Sequence, residues 1–250
     1  MKNLKILVTG TNGYISKSFA TYSQAEQISL RDDWQKKSFA GYNAIVHTAG
    51  LAHQKETKRN QYDYYTINRD LAFDVAKKAK EDGVRQFVLL SSISVYGLTY
   101  GTITADTPLK PTNNYGRSKL AAESLIAALE DENFSIAILR PPMVYGENCP
   151  GNYRRLRTLV KLLPFFPDYE NARSVVSIDN LCVSILDIVE NQKHGIFFPQ
   201  DNNPLATRDM VLNIAAEQGR KLRLTKVFNR LLPLFSKSKL FGDLLITIKP

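Results

Sequence analysis

Apolar and polar positions along this chain change period block by block. Residues 4–9 form a short run rich in Ile, Leu and Val that stops at Gly10, and similar runs stand at 26–30, 44–47, 86–91, 136–139 and 196–198. Short apolar runs closed by turn residues predict buried strands. Between them the period lengthens. Over 64–82, Ile67, Leu71, Val75 and Ala79 fall on one helical stripe that Gly83 ends. Residues 115–130 carry no Pro or Gly after Gly116, and a long helix is expected there, its regular part over 118–132. Further helices are expected over 14–22, 153–163, 179–191 with Asp179 near the N-cap, and 207–218 N-capped by Thr207. Residues 55–63 are polar and read as a loop. Strands alternating with helices predict an α/β fold, a Rossmann-type doubly wound parallel sheet.

The first strand runs into Gly10-Thr11-Asn12-Gly13-Tyr14-Ile15-Ser16 and then a helix. Strand, glycine turn and helix start form a phosphate-binding device: Gly10 permits the turn, Gly13 lets backbone approach a pyrophosphate, and the helix N-terminus favours the anion. Ser16 replaces the third glycine and is small enough to keep the helix close. The second strand ends not in an acid but in Arg31, followed by Asp32, Asp33 and Trp34. An Arg suits a 2′-phosphate, which favours NADP over NAD; Asp33 and Trp34 are candidates for the adenine. His47 reads as a structural histidine. Ser91 and Ser92 stand at the carboxyl end of a strand, where ligands of open α/β sheets sit.

Tyr115 and Lys119 lie four apart and share a helix face. A free phenol titrates near pH 10. A neighbouring ammonium is expected to lower that value and bring the phenol into the range of acid–base catalysis. Ser92 adds a hydroxyl beside the pair.

Composition narrows the class. The chain has 250 residues, 44% of them hydrophobic, and a net charge of +9. That is the composition of an ordinary globular protein. No apolar run reaches membrane-spanning length. No signal-peptide pattern precedes the first strand, and Cys149 and Cys182 are too few for a disulfide framework, so a cytoplasmic location is expected. His47, His53 and His194 lack metal-ligand spacing, so no metal is expected. No nucleic-acid-binding motif is present. Between 217 and 250, eight basic residues face two acidic ones among many Leu and Phe. Such a tail suits packing on the body, a lobe for an anionic substrate, or peripheral contact with a membrane.

TGTNGYI, VHTAG, SSISVYG, YGRSK, RPPMVYG and ARSVVSIDNL follow one another from Thr9 to Leu181. Together they resemble the extended short-chain dehydrogenase/reductase family, in its nucleotide-sugar branch, and are most similar to short members of bacterial capsule and O-antigen clusters. The resemblance implies a dinucleotide-binding domain at 1–142 plus 176–194 and a substrate-binding lobe at 143–175 plus 195–250. It implies Ser92 on the substrate C4 oxygen, Tyr115 as acid–base residue and Lys119 on the nicotinamide ribose. It places Gly10, Asn12, Gly13, Tyr14 and Ile15 at the pyrophosphate. Ala49, Gly50 and Asn68 lie along the ribose and nicotinamide, with Pro141 and Pro142 beside the ring. It gives Asn152 and Arg173 the substrate diphosphate, with Arg154, Arg155 and Arg157 adding positive field or forming a solvated face. A homodimer through the Tyr115 helix is also implied.

Dehydratases of this branch carry an Asp-Glu pair where this chain has Ile93 and Ser94, so elimination is disfavoured. Met143 replaces an Asn that often meets the sugar. The expected activity is NAD(P)-dependent reduction of a C4 ketone on a UDP-sugar. The alternatives are a UDP-sugar 4-epimerase with bound NAD and a non-catalytic dinucleotide-binding protein.

Overall fold

The computed structural model describes residues 4–229 except 53, 55, 99, 170 and 228, together with the backbone of 247–249. In chain order the first elements are β1 (Ile6–Thr9), α1 (Tyr14–Ser23), β2 (Glu26–Ile28), β3 (Ala44–His47), α2 (Gln61–Tyr65), α3 (Leu71–Glu81), β4 (Gln86–Leu90) and β5 (Tyr100–Thr102). Then come α4 (Asn114–Ala127), β6 (Ser135–Leu139), β7 (Met143–Tyr145), α5 (Asn152–Leu162), β8 (Phe165–Pro167) and β9 (Val175–Ser177). The last are α6 (Ile178–Glu190), β10 (Gly195–Phe197), α7 (Thr207–Glu217), β11 (Arg223–Thr225) and β12 (Thr247–Lys249).

The chain divides into two units. The first comprises Met1–Gly97, Pro108–Pro142 and Ile178–Pro199. It holds a six-stranded sheet in the order β10-β6-β4-β3-β1-β2, every pair parallel. The order reverses between β1 and β3, the crevice where doubly wound folds bind ligands. β1, β3 and β4 are buried along their whole length, as parallel strands covered on both faces must be. Helices pack as the pairs α3 with α4 and α1 with α6. Val75, Ala79, Ile45, Phe87, Ile126 and Ile136 belong to one apolar cluster.

The helix expected over 64–82 starts earlier, as α2, and contains a π-helical turn at Thr66–Asp70 before α3. The extra residue in such a turn turns a side chain out of the regular stripe. Asn68 lies in that turn and is fully buried. The polar loop correspondingly ends at 60. α4 starts at Asn114, capped by the Asn113 side chain, and ends at Ala127, five residues short of the expected end. Thr207 is the first residue of α7, not its cap; it is buried, and its N–H donates to Asn171 Oδ1 at 2.8 Å. β10 was assigned from sequence to the lobe, but it pairs with β6, and Arg140 N–H donates to the Phe197 carbonyl at 2.8 Å.

The second unit comprises Leu98–Thr107, Met143–Ser177 and Gln200–Pro250. Its described residues form three two-stranded parallel pairs, β7 with β9, β8 with β11 and β5 with β12, plus α5 and α7, which pack on each other. Tyr145 ties it together: its hydroxyl donates to Asp201 at 2.7 Å and its ring meets Tyr153. The basic apolar tail at 230–246 lies outside the described residues. No helix among the described residues is long and apolar enough to cross a membrane.

Candidate active site

At the carboxyl end of β1, Gly10 N–H donates to the Ile28 carbonyl at 2.8 Å, which ties the glycine turn to β2. α1 begins with Gly13 as N-cap and no side-chain cap, and a helix N-terminus of this kind attracts anions. The Ser16 hydroxyl, buried where the third glycine would stand, donates to the Gly13 carbonyl at 2.9 Å. Asn12 is exposed, and Tyr14 and Ile15 are half-buried.

Asn68 links the next pieces. Its Oδ1 accepts from Leu51 N–H at 2.6 Å, and its Nδ2 donates to the Leu51 carbonyl and the Ser118 hydroxyl, each at 3.1 Å. The loop after β3, carrying Ala49 and Gly50, is thereby pinned to α4. A Cβ on Gly50 would stand 3.0 Å from Asn68 Oδ1 and 3.3 Å from Lys119 Nζ. A side chain there would crowd both groups. Backbone amides, a helix N-terminus and a lysine at a sheet's switch point could hold the phosphates and ribose of a dinucleotide.

Ser92 opens a short 3-10 turn after β4; its hydroxyl accepts from Ser94 N–H at 3.1 Å. The same hydroxyl donates to Ser94 Oγ at 3.1 Å, and it lies near enough to the Tyr115 phenol to favour its ionised form. α4 reaches this turn closely because residue 116 is Gly: a Cβ there would stand 2.5 Å from the Ser94 carbonyl oxygen. Glu56 fixes the start of α4, accepting from Asn114 N–H, Asn114 Nδ2 and Tyr115 N–H, each at 3.2 Å. Asn113 Oδ1 takes Gly116 N–H at 2.8 Å. The orphan donors of this helix start are thus met.

Lys119 is buried, and its ammonium donates to the Leu90 carbonyl at 2.8 Å. Burial pulls its pKa down to about 8, and Glu123 on the next turn opposes this. The Tyr115 phenol is pushed up by burial; the Ser92 hydroxyl opposes this and the Tyr64 phenol adds to it. The net direction is upward, opposite to the lowering expected from the Tyr115–Lys119 spacing. Desolvation outweighs the favourable partner.

Trp34 was expected at the adenine. It is only 4% exposed and stacks on Phe39 at 6.3 Å, inside the core. A large ring beside an apolar wall gains more from burial than from an exposed ligand contact. Asp33 is exposed and paired with Lys36 at 2.8 Å, and Arg31 is exposed beyond β2. Pro142 is buried after β6, and the preceding Pro141 carbonyl accepts from Ile93 N–H at 3.2 Å, joining that loop to the Ser92 turn.

In the second unit, Asn152 is the first residue of α5, with Arg154 and Arg155 exposed beyond it. Arg173 is buried, its backbone bridges Leu205, and its Nη1 lies 3.8 Å from Met143 Sδ. The sulfur therefore meets the guanidinium at the position where an Asn was missing. Arg157 pairs with Glu217 at 2.6 Å.

A buried network behind the site went unread in the sequence. Glu123 receives Arg140 Nη2 at 2.6 Å and Nε at 3.2 Å, and the Ser91 hydroxyl donates to it as well. Arg140 Nη1 reaches the Tyr96 hydroxyl at 2.7 Å. Two signals were available: Glu123 lies one turn beyond Lys119, and Arg140 ends an otherwise apolar strand. Glu56, from a polar loop, gave no local signal.

His47 ends β3 opposite Thr9 of β1, fully buried, its Nδ1 3.0 Å from the Thr9 hydroxyl. Burial, with the Lys119 charge adding, pulls its pKa to about 3. Between pH 6.5 and 3 the unfolded chain binds a proton at His47 that the folded chain refuses, so stability falls as pH falls through that window. The full loss is on the order of 5 kcal/mol. Denaturant midpoints measured from pH 7 to 3 should fall steeply, and the fall should be shallower in His47→Gln.

Comparison with known proteins places this arrangement in a family. Residues 27–191 match the NAD dependent epimerase/dehydratase family, and the chain belongs to that family. A UDP-glucose 4-epimerase of Vibrio cholerae is 34% identical over 185 residues, 68% of this chain and 56% of that protein. An Escherichia coli O157:H7 N-acetyl-alpha-D-glucosaminyl-diphospho-ditrans,octacis-undecaprenol 4-epimerase is 29% identical over 140 residues, 54% of this chain and 42% of that protein. The chain spans about half the length of the curated relatives it matches. Among solved structures, a dTDP-4-dehydrorhamnose reductase from Clostridium acetobutylicum superposes with a TM-score of 0.73 at 20% identity, covering 89% of this chain and 83% of that one. A UDP-glucuronic acid 4-epimerase from Bacillus cereus, in complex with NAD, gives 0.72 at 19% identity, covering 88% and 85%. These structures share the fold.

Proposed function

We propose that this chain is an NAD(P)-dependent oxidoreductase of nucleotide sugars that reduces a C4 ketone on a UDP-sugar, serving capsule or O-antigen synthesis. The observation that carries the reading is the Tyr115 phenol beside the Ser92 hydroxyl, one helical turn from the buried Lys119. A bound nicotinamide would supply the hydride. Gly10, Asn12, Gly13, Tyr14 and Ile15 would hold its pyrophosphate, and Ala49, Gly50, Asn68, Lys119 and Pro142 its ribose and ring. Arg31 would favour the 2′-phosphate of NADP.

Ser92 would hydrogen-bond the substrate carbonyl and Tyr115 would give its proton to the oxygen. Burial keeps the phenol protonated at neutral pH, which is the form that reduction requires. Asn152 and Arg173 would take the substrate diphosphate, a role suited to a guanidinium. Ile93 and Ser94 leave no acid at the positions dehydratases use, so no hydroxyl would be eliminated from the sugar.

A 4-epimerase uses the same side chains and keeps its cofactor oxidised and bound; the named activity of the Vibrio cholerae relative favours this second reading. One experiment separates the two. The purified chain is given NADPH or NADH with a UDP-4-keto-6-deoxy-N-acetylhexosamine, and separately UDP-N-acetylglucosamine alone. Loss of reduced cofactor with the keto sugar is expected. Interconversion of C4 epimers without net cofactor use would make it an epimerase. Neither reaction, with cofactor bound, would leave a non-catalytic dinucleotide-binding protein.

A further inference from the structure

In the second unit a cavity of about 770 Å³ is lined by Arg154, Arg157, Thr158, Lys161, Gln218 and Arg220. Arg154, Arg157 and Lys161 follow one another at three- and four-residue spacing on α5 and so share a face. Arg157 is neutralised by Glu217 at 2.6 Å. Arg154, Lys161 and Arg220 are exposed, and no acid lines the cavity among the described residues.

Next to Lys161 the surface turns apolar. α5 ends in Leu162, 69% exposed, and Leu163, 37% exposed; Phe165 follows at 46%. β8 pairs with β11 so that Phe165 stands opposite Arg223, another exposed cation, and Val227 beyond β11 is 77% exposed. Large apolar side chains left in water beside several cations mark an interaction surface.

We propose that this edge of the second unit docks on an anionic phospholipid bilayer. The cations of the cavity take phosphate head groups, and Leu162, Leu163 and Phe165 enter the head-group layer. Charge decides the occupant. A second copy of this surface would set cation against cation. The chain's own segment from 230 to 250 carries four basic residues against one acidic, so it adds to the positive field instead of neutralising it. Apolar residues projecting through a basic face fit an anionic lipid surface, which satisfies both at once.

The test is sedimentation of the full chain with vesicles of phosphatidylcholine alone or with phosphatidylglycerol added. Binding is expected only to the anionic vesicles and should weaken as salt rises. Replacing Arg154, Lys161 and Arg220 by Gln should weaken binding roughly fivefold per cation, roughly 100-fold together. Leu162→Ser with Phe165→Ser should also weaken it, with far-UV circular dichroism unchanged in both variants. The proposal is overturned by absent binding to anionic vesicles or by equal binding to neutral ones. It is also overturned by full binding in both variants, which would assign the contact to 230–246. Displacement of the chain from vesicles by millimolar inorganic phosphate would replace the lipid site with one for free phosphate.

Discussion

Replacing Tyr115 by Phe is expected to cut turnover roughly 10²- to 10⁴-fold, the range for loss of a positioned acid–base group. The substitution removes one oxygen from a half-buried ring on α4, whose start is held by Glu56 and Asn113 through backbone groups that the change leaves alone. The far-UV spectrum, the unfolding midpoint and dinucleotide binding should therefore stay near those of the parent, and the loss should fall on kcat. The direction of the phenol's shift adds a pH signature. With the group pushed up by burial, reduction, which consumes a proton from the neutral phenol, should hold its rate to neutral pH and above. Oxidation of the alcohol needs phenolate and should speed up as pH rises. Lys119, pulled down to about 8, loses its positive charge above that pH, so dinucleotide affinity should weaken on the alkaline side. A Tyr115→Phe protein turning over at the parental rate would remove the acid–base assignment.

The second large effect concerns stability. Arg140→Met should destabilise the protein by about 3–5 kcal/mol, because it leaves the Glu123 carboxylate buried without its counter-charge. Glu123 is 4% exposed and Arg140 5%, so water cannot substitute for the lost partner. The same change frees the Tyr96 hydroxyl from Arg140 and removes a guanidinium from its ring face. Pairing it with Glu123→Leu removes the stranded charge and should recover most of the loss, since an apolar replacement of a buried ion pair is often neutral or better. Urea midpoints of the parent, the single and the double variant measure both steps. A single variant within about 1 kcal/mol of the parent would mean that the carboxylate is protonated or hydrated, and the network would not be what braces Ser91 beside the site.

The sheet was legible because parallel strands announce themselves. Ile6–Thr9 and Ala44–His47 are uninterrupted apolar runs buried on both faces, and no other placement buries them. The glycine turn and the Tyr115–Lys119 spacing are local patterns, while Ser92 was singled out by its place at the end of a strand and by the resemblance. What failed depended on the third dimension. The π-helical turn at Thr66–Asp70 moves the buried face off the expected stripe: Asn68 and Ala72 are buried, while Ile67 and Leu71 are half-buried. Trp34 follows Arg31 and two acids and reads as an adenine contact, yet Phe39, five residues on, supplies it with an apolar wall. The lowering of the Tyr115 pKa by Lys119 was argued from a pairwise charge; burial of both groups acts on each separately and dominates here. The Glu123–Arg140 pair joins α4 to the end of β6, 17 residues apart, and each partner alone reads as a solvated charge. Glu56 lies 58 residues from the helix it caps. A distance of that kind is set by packing of the whole sheet and leaves no trace in local pattern.

The central claim is that Ser92, Tyr115 and Lys119 act on a sugar carbonyl beside a nicotinamide. It is tested most directly with reduced NADPH carrying deuterium at the transferable position, incubated with the chain and a UDP-4-keto sugar, followed by NMR of the sugar. Deuterium is expected on C4 with the parent protein, and incorporation roughly 10²- to 10⁴-fold slower with Tyr115→Phe. A product reduced but unlabelled at C4, or a keto sugar left untouched by protein saturated with cofactor, would contradict it.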